Sequence, residues 1–248
     1  QLASEFLSRL ADIAPTFVIA GNHDLNLSNM NRLDSLTPII SNLSHRNLFY
    51  LKHSGVYRVA DTDIAVMSIL DSPEQWPSAD DCKTHRKIAL FHGPVHGAVT
   101  DAKFVITNRH VNVGTFRGFD MVLLGDIHKY QVLQQYDRAK SQPIIVYSSS
   151  LIQQNHGELL TGHGWCLWDV PSVTHTFQSV PNEYGYHTVE LTGSNFTVPT
   201  GLPKNLRLRL FTGGADQTVV KKAISVLRKH YSIVEMSISK SRANQQIK

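Results

Sequence analysis

The sequence predicts an α/β protein, with two sheets packed as a sandwich, flanking helices, and a small β-α-β domain after them. Short apolar strands recur along the first part of the chain, and each one runs into a polar turn. Uninterrupted apolar strands of this kind are typical of sheets that are covered on both faces. Toward the end of the chain, an amphipathic helical pattern lies between two strands.

The elements follow from the spacing of apolar residues. A helix is predicted over 1–11, because Leu2, Phe6, Leu7 and Leu10 recur at helical spacing. Further helices are predicted over 29–43 and 103–108. Strands are predicted over 16–20, 64–70, 88–91, 121–124, 144–147, 164–170 and 187–191. The first domain is predicted to span 1–181. A linker and small domain occupy 182–248, with strands at 206–211 and 232–238 around a helix at 217–230.

Composition excludes several classes of protein. The chain has 248 residues, a formal net charge of +4, and two cysteines, Cys82 and Cys166. Distant cysteines suit a reducing compartment. No apolar run approaches the roughly 18 residues that a membrane span needs. We therefore expect a protein that lies outside the membrane and is not secreted. Its expected location is the cytoplasm, or a nucleus or viral factory, and its charge permits a nucleic-acid partner.

The turn Gly21-Asn22-His23-Asp24 follows the first predicted strand. An amide oxygen can bind a hard metal ion, an imidazole can reach a substrate oxygen, and a carboxylate can orient that imidazole. The alternative is an Asx-type turn, in which Asn and Asp bind only their own backbone.

Two later strands also end in histidine or aspartate. His92 directly follows one apolar run, while His96 in the next loop is expected to be solvated. Asp126 and His128 follow another run, and on an extended segment their side chains would point the same way. Carboxylate and imidazole ligands suit manganese, iron or zinc better than calcium. Each motif alone could be an ordinary polar strand end, but their agreement favours a metal site.

Together these motifs resemble those of calcineurin-like metallophosphoesterases. The resemblance implies two divalent metal ions, with manganese favoured over iron or zinc. It makes metal ligands of Asn22, His92, Asp126 and His128. It also makes His23 the group that stabilises the transition state or protonates the leaving group, with Asp24 orienting it.

A narrower likeness begins at Tyr147-Ser148-Ser149-Ser150-Leu151 and continues through Gly157-Glu158. This stretch resembles SbcD/Mre-type DNA-repair nucleases, especially their phage and large-virus versions, and the small C-terminal domain is similar to their capping domain. The resemblance implies a nuclease acting on DNA ends, in a homodimer with an SMC-like ATPase of the SbcC/Rad type.

The sequence departs from this family in three places. The opening Asp-x-His and Gly-Asp motifs of the family would precede residue 1, so we expect this chain to hold at most one metal ion and to hydrolyse little. Asp126 stands where the family has histidine. Ser149 stands where the family has glycine, and is tolerated unless the turn requires a positive φ.

Two other functions stay open. The shared motifs also fit a phosphoesterase that acts on small phosphoesters or nucleotides, and a chain without a working site would be an assembly scaffold. The basic residues of the tail are either a phosphate-binding surface or a solvated face; they are Arg207, Arg209, Lys221, Lys222, Arg228 and Lys229.

Overall fold

The computed structural model describes residues 1–26, 33–191 and 196–240. It is a mixed α/β structure with several sheets and few helices. The chain divides into two compact units. The first comprises Gln1–Ser149 and Cys166–Phe177, and the second comprises Ser150–Trp165 and Gln178–Lys248. The sequence had placed one boundary between 181 and 182, whereas the second unit also takes in an earlier segment.

The first unit opens with a small helical layer. Its elements are α1 (Leu2–Ile13), β1 (Thr16–Val18), α2 (Leu36–Leu43) and β2 (Leu48–Tyr50). Strands β1 and β2 pair in parallel. One turn apart on α1, Leu7 and Ala11 are buried with Leu48, and α2 packs against them. The helix predicted over 29–43 is shorter, because α2 begins at Leu36; residues 29–32 lie outside the described residues.

A six-stranded sheet forms the centre of the first unit. Its strands are β3 (Gly55–Val59), β4 (Thr62–Met67), β5 (Arg86–His92), β6 (Met121–Gly125), β7 (Gln131–Gln134) and β8 (Ile144–Tyr147). The order is β3-β4-β5-β6-β8-β7. The four central strands run parallel, and the two outer strands run antiparallel to their neighbours. The carboxyl ends of the central strands therefore meet at one edge, where α/β folds place their ligands.

Both faces of this sheet are covered. One apolar cluster includes Phe91, Phe116 and Tyr147, and a second includes Met121 and Val146. Next to the second cluster lies the two-stranded pair of β9 (Gly164–Asp169) and β10 (Thr174–Ser179). These packed faces account for the uninterrupted apolar runs of the central strands.

The helix predicted over 103–108 was wrong. Lys103 has a φ of 62°, which ends any right-handed helix at that residue. Val105 instead forms an antiparallel bridge with Val99. The apolar residues of this segment belong to a loop that folds back on itself.

The second unit contains a three-stranded parallel sheet. It is built from β11 (Tyr184–Glu190), β12 (Asn205–Phe211), α3 (Gln217–His230) and β13 (Ser232–Ser239), with β12 in the centre. Alternate residues of β12 are buried against Ala223 and Leu227 of α3; they are Leu206, Leu208 and Leu210. The predicted β-α-β unit is confirmed. The apolar residues that alternate along the strand β12 and those at helical spacing on α3 pack against each other in one core.

The α-helices of the described residues are short. The longest, α3, has 14 residues, whereas a membrane span needs about 20. Within the part of the chain that the structure describes, no helix is both long and apolar enough to cross a membrane.

A half-buried histidine in β10 is expected to make the stability of the protein depend on pH. His175 stacks on Trp168 with ring centroids 4.8 Å apart, and its Nε2 lies 2.9 Å from the Tyr130 hydroxyl oxygen. Burial lowers the pKa of His175 below its ordinary value of 6.5. The unfolded chain therefore binds more protons, so the free energy of unfolding should fall as the pH drops below 6.5.

Urea unfolding at about pH 7.5 and about pH 5.5 measures this loss. The matched variant is His175→Gln, which can still accept a hydrogen bond from Tyr130 but cannot be protonated. It should lose less stability than the parent between the two pH values. An equal loss in both proteins would assign the pH dependence to other groups.

Candidate metal centre

Three chain segments meet at the carboxyl edge of the central sheet. β5 ends at His92 and β6 ends at Gly125, and these two residues are partners in the parallel ladder. Asp126, the residue after Gly125, therefore lies next to His92. The chain leaving β1 reaches the same place through a single 3-10 turn at Asn22–Asp24.

Side chains from the three segments are in contact. The Nε2 atom of His92 lies 3.2 Å from Asn22 Oδ1 and 3.7 Å from Asp126 Oδ1. The side-chain amide of Asn22 donates to Asp126 Oδ1 at 3.3 Å. Asn22, His92 and Asp126 thus form one group, although Asn22 and Asp126 lie 104 positions apart in the sequence.

Two glycines enclose the ring of His92. A Cβ atom on Gly21 would lie 2.9 Å from His92 Cε1, and one on Gly125 would lie 2.8 Å from His92 Nδ1. Neither position admits a larger residue unless the ring moves. The glycines of both motifs therefore allow the backbone to approach the imidazole closely.

The charge state of His92 is set mainly by its burial. Burial lowers the pKa of His92, while the nearby carboxylates of Asp126 and Asp24 raise it and the charges of His128 and His23 lower it. The net direction is downward, so the imidazole is neutral at neutral pH. A neutral imidazole is the form that binds a metal ion.

His23 and Asp24 do not interact as predicted. The carboxylate of Asp24 accepts hydrogen bonds from the Gly21 backbone N–H at 2.9 Å and from the Ser35 hydroxyl at 3.1 Å. His23 is exposed and forms no hydrogen bond with any residue in the described ranges. The tight 3-10 turn places the carboxylate over its own backbone, so Asp24 fits the Asx-type alternative and holds the turn rather than the imidazole.

The sequence predicts an extended segment from Asp126 to His128, but the backbone there is not extended. Asp126 has a φ of 100°, a backbone conformation that L-residues rarely adopt. The chain bends there, so the two side chains do not share one face of a strand. Asp126 contacts His92 directly, and His128 acts on His92 through its charge.

Sequence reasoning missed the contacts of two residues. The Tyr147 hydroxyl accepts from the Val95 N–H at 2.9 Å and donates to the Gly93 carbonyl at 2.7 Å. Ser149 has a φ of 74°, the conformation for which glycine would be preferred. In the sequence, Tyr147 is recognised only as the end of a strand, and Ser149 only as a departure from the family pattern. The available signal was that a tyrosine in an apolar strand needs a hydrogen-bond partner for its hydroxyl when it is buried.

Two of the contacting atoms have the spacing of ligands that share a metal ion. Ligand atoms that share an ion at about 2.1 Å lie roughly 3 Å from one another, and Asn22 Oδ1 and His92 Nε2 are 3.2 Å apart. Oxygen and imidazole donors suit manganese, iron or zinc. Within residues 1–26, 33–191 and 196–240, no group of three or more His, Cys, Asp or Glu residues is placed to hold a metal ion. The group formed by Asn22, His92 and Asp126 has two such residues, His92 and Asp126, and the amide of Asn22.

The basic residues of the second unit have different environments. Arg207 is engaged in its own sheet, because it donates to the Tyr186 hydroxyl at 3.2 Å and pairs with Glu235 at 3.4 Å. The four basic residues of α3 that the sequence singled out are exposed; they are Lys221, Lys222, Arg228 and Lys229. These four cations lie on the solvent side of the helix, opposite its buried residues.

Comparison with known proteins relates this chain to a viral protein over a defined length. No protein-family model matches the chain. The chain is 38% identical over 246 residues to a protein of Acanthamoeba polyphaga mimivirus whose name is Uncharacterized protein R555. The match covers 95% of the chain but 18% of that protein, so the chain spans less than a fifth of the length of the curated relative it matches.

The strained backbone at Asp126 leads to a prediction. Asp126→Gly and Asp126→Ala both remove the carboxylate, but only glycine adopts a φ of 100° without strain. We expect the glycine variant to be more stable than the alanine variant by about 1–2 kcal/mol in urea unfolding. Equal stabilities would show that the backbone at this position relaxes freely.

Proposed function

We propose that the chain belongs to a metal-dependent phosphodiesterase that acts on DNA ends, built on a two-sheet phosphoesterase sandwich of the SbcD/Mre type. The observation that carries this proposal is the contact of Asn22, His92 and Asp126 at the carboxyl edge of the central sheet. It brings an amide oxygen, an imidazole and a carboxylate together, as the resemblance to calcineurin-like phosphoesterases implies.

The residues of this group have complementary roles in holding a cation. Asp126 contributes negative charge and Asn22 contributes a neutral oxygen. The neutral imidazole of His92 contributes its Nε2 lone pair in the tautomer that carries the ring proton on Nδ1, in which the hydrogen bond to Asn22 Oδ1 is absent. When bound, divalent metal ions in such sites lower the pKa of water and neutralise the charge of a phosphodiester. His128 is the proposed ligand of a second ion.

His23 is the proposed proton donor. Its imidazole lies in the turn beside Asn22, is exposed, and has no hydrogen-bond partner among the described residues, so it is accessible to a substrate. The imidazole of a histidine can act as a general acid and give a proton to the departing sugar oxygen. Asp24 supports this role by holding the turn through the Gly21 N–H and the Ser35 hydroxyl.

The proposed substrate and partners follow from the narrower likeness. The likeness to SbcD/Mre-type nucleases at Tyr147–Leu151 and Gly157–Glu158 favours DNA over a small phosphoester. The exposed cations of α3 are compatible with a polyanion. An SMC-like ATPase and a second copy of the nuclease are the partners that this likeness implies.

The test is manganese-dependent hydrolysis of a linear DNA duplex and of a bis-phosphoester dye. Since the matched relative is longer than this chain, the assay includes both the 248-residue chain and the longest product of its gene. His23→Ala is expected to lower the rate by about 10²–10⁴-fold, as loss of a general acid does.

Each outcome decides between the proposed functions. Cleavage of DNA that His23→Ala removes supports the nuclease. Hydrolysis of the dye alone favours a phosphoesterase for small substrates. An absence of turnover in both proteins, with either substrate, contradicts an enzymatic function and favours an assembly scaffold.

A further inference from the structure

The end of β8 contacts the backbone beside the metal centre. Tyr147 is its last residue and is fully buried. Its hydroxyl accepts from the Val95 N–H and donates to the Gly93 carbonyl, and both groups lie in the loop that begins directly after His92. One buried side chain thus makes two hydrogen bonds to the segment that carries the imidazole.

Two residues further on, Ser149 reaches the other loop. Its Oγ donates to the backbone carbonyl of His128 at 2.6 Å. The contact is made from a φ of 74°, where a residue with a side chain is strained and glycine is not. A strained residue that uses its side chain to hold a candidate ligand is a pointer to function.

These two residues act from a well-fixed base. All four residues of β8 are buried, and the strand pairs with β6 on one side and with β7 on the other. A rigid central strand therefore presents one hydroxyl to the loop after β5 and another to the loop after β6. Proposed metal ligands adjoin both loops, because His92 ends β5, and Asp126 and His128 follow β6.

We propose that Tyr147 and Ser149 are positioning residues of the metal centre, which hold His92 and His128 through the backbone of their loops. This proposal rests on the proposed function. In proteins, groups that orient metal ligands contribute to affinity although they do not touch the ion, and their loss typically weakens binding about 10–100-fold. Ser149 then supplies a hydroxyl that the glycine usual in the resembled family lacks.

Stability and metal affinity should respond differently at Ser149. Ser149→Gly removes the hydroxyl and also the backbone strain, so its melting temperature should equal or exceed that of the parent. Ser149→Ala removes the hydroxyl and keeps the strain, so its melting temperature should fall. If the hydroxyl positions His128, both variants should bind metal more weakly, whatever their stability.

The experiment is a Co²⁺ titration of the 248-residue chain, followed by the visible absorption of the bound ion. Tyr147→Phe, Ser149→Gly and Ser149→Ala are compared with the parent. Hydrogen exchange of the metal-free proteins, over 92–97 and 125–130, is measured alongside. Ser148→Ala is the matched control. It removes a hydroxyl from the residue between Tyr147 and Ser149, and the side chain of Ser148 makes no hydrogen bond within the described part of the chain.

We expect about 10-fold weaker Co²⁺ binding in Tyr147→Phe and in both Ser149 variants, and parental binding in Ser148→Ala. Exchange should accelerate over 92–97 in the tyrosine variant and over 125–130 in the serine variants. Parental affinity and exchange in all three variants would overturn the proposal.

A parent chain that binds no Co²⁺ has a different meaning. It would refute the metal centre of the proposed function. The exchange measurement, which needs no metal, would then decide whether the two hydroxyls hold these loops: faster exchange in the variants would support the holding contacts, and unchanged exchange would refute them.

Discussion

His92→Ala is expected to weaken Mn²⁺ binding by at least about 100-fold, the upper end of what the loss of an orienting group costs, and to remove the proposed phosphodiester hydrolysis. The reason is the central place of the imidazole: its Nε2 is the atom that faces both Asn22 Oδ1 and Asp126 Oδ1. Without it, two oxygen atoms from separate loops remain. Calorimetric titration with Mn²⁺ measures the loss directly.

His96→Ala is the matched control for this variant. His96 is an exposed histidine in the loop after β5, and its Nδ1 accepts from the Asn108 N–H at 3.4 Å. It should bind Mn²⁺ as the parent does. Equal losses in the two variants would indicate a general effect on the loop, and no loss in either would refute the assignment of His92.

Gly125→Ala is expected to disturb the same site by crowding the ring of His92. The added Cβ would lie 2.8 Å from His92 Nδ1, closer than packed atoms approach. Overpacking of this kind costs about 1–3 kcal/mol, which urea unfolding would measure. The ring can relieve the contact only by moving, so Mn²⁺ affinity should fall together with stability.

A double-mutant cycle identifies the source of that cost. In a His92→Ala background the ring is absent, so the alanine at position 125 has room. The Gly125→Ala change should then cost much less stability than in the parent. If the cost is the same in both backgrounds, the close approach of Gly125 to the ring is not its cause.

The position of His92 follows from the sequence because local patterns determine it. An apolar run ending in histidine placed that residue at the carboxyl end of a strand, and β5 ends at His92. The parallel neighbours of β5 then bring Gly125 and Asp126 alongside. The β-α-β unit was predictable for the same reason, since its strands and helix carry unmixed periodicities.

Other features depend on contacts that no local pattern encodes. The loop after His92 is held by Tyr147, 52 positions from Val95. Asp126 has a positive φ at the point where the chain leaves β6 next to the imidazole of His92. Asp24 accepts a hydrogen bond from Ser35 and none from the adjacent His23. The helix predicted over 103–108 failed because Lys103 has a positive φ and Val105 pairs with Val99, features that the local sequence does not encode.

The most direct test of the account is a Mn²⁺ titration of the 248-residue chain, followed by the paramagnetic resonance signal of free Mn²⁺. We expect saturable binding of one ion per chain, lost in both Asn22→Ala and His92→Ala. A chain that binds no Mn²⁺, or binds it equally well in both variants, would contradict the metal centre.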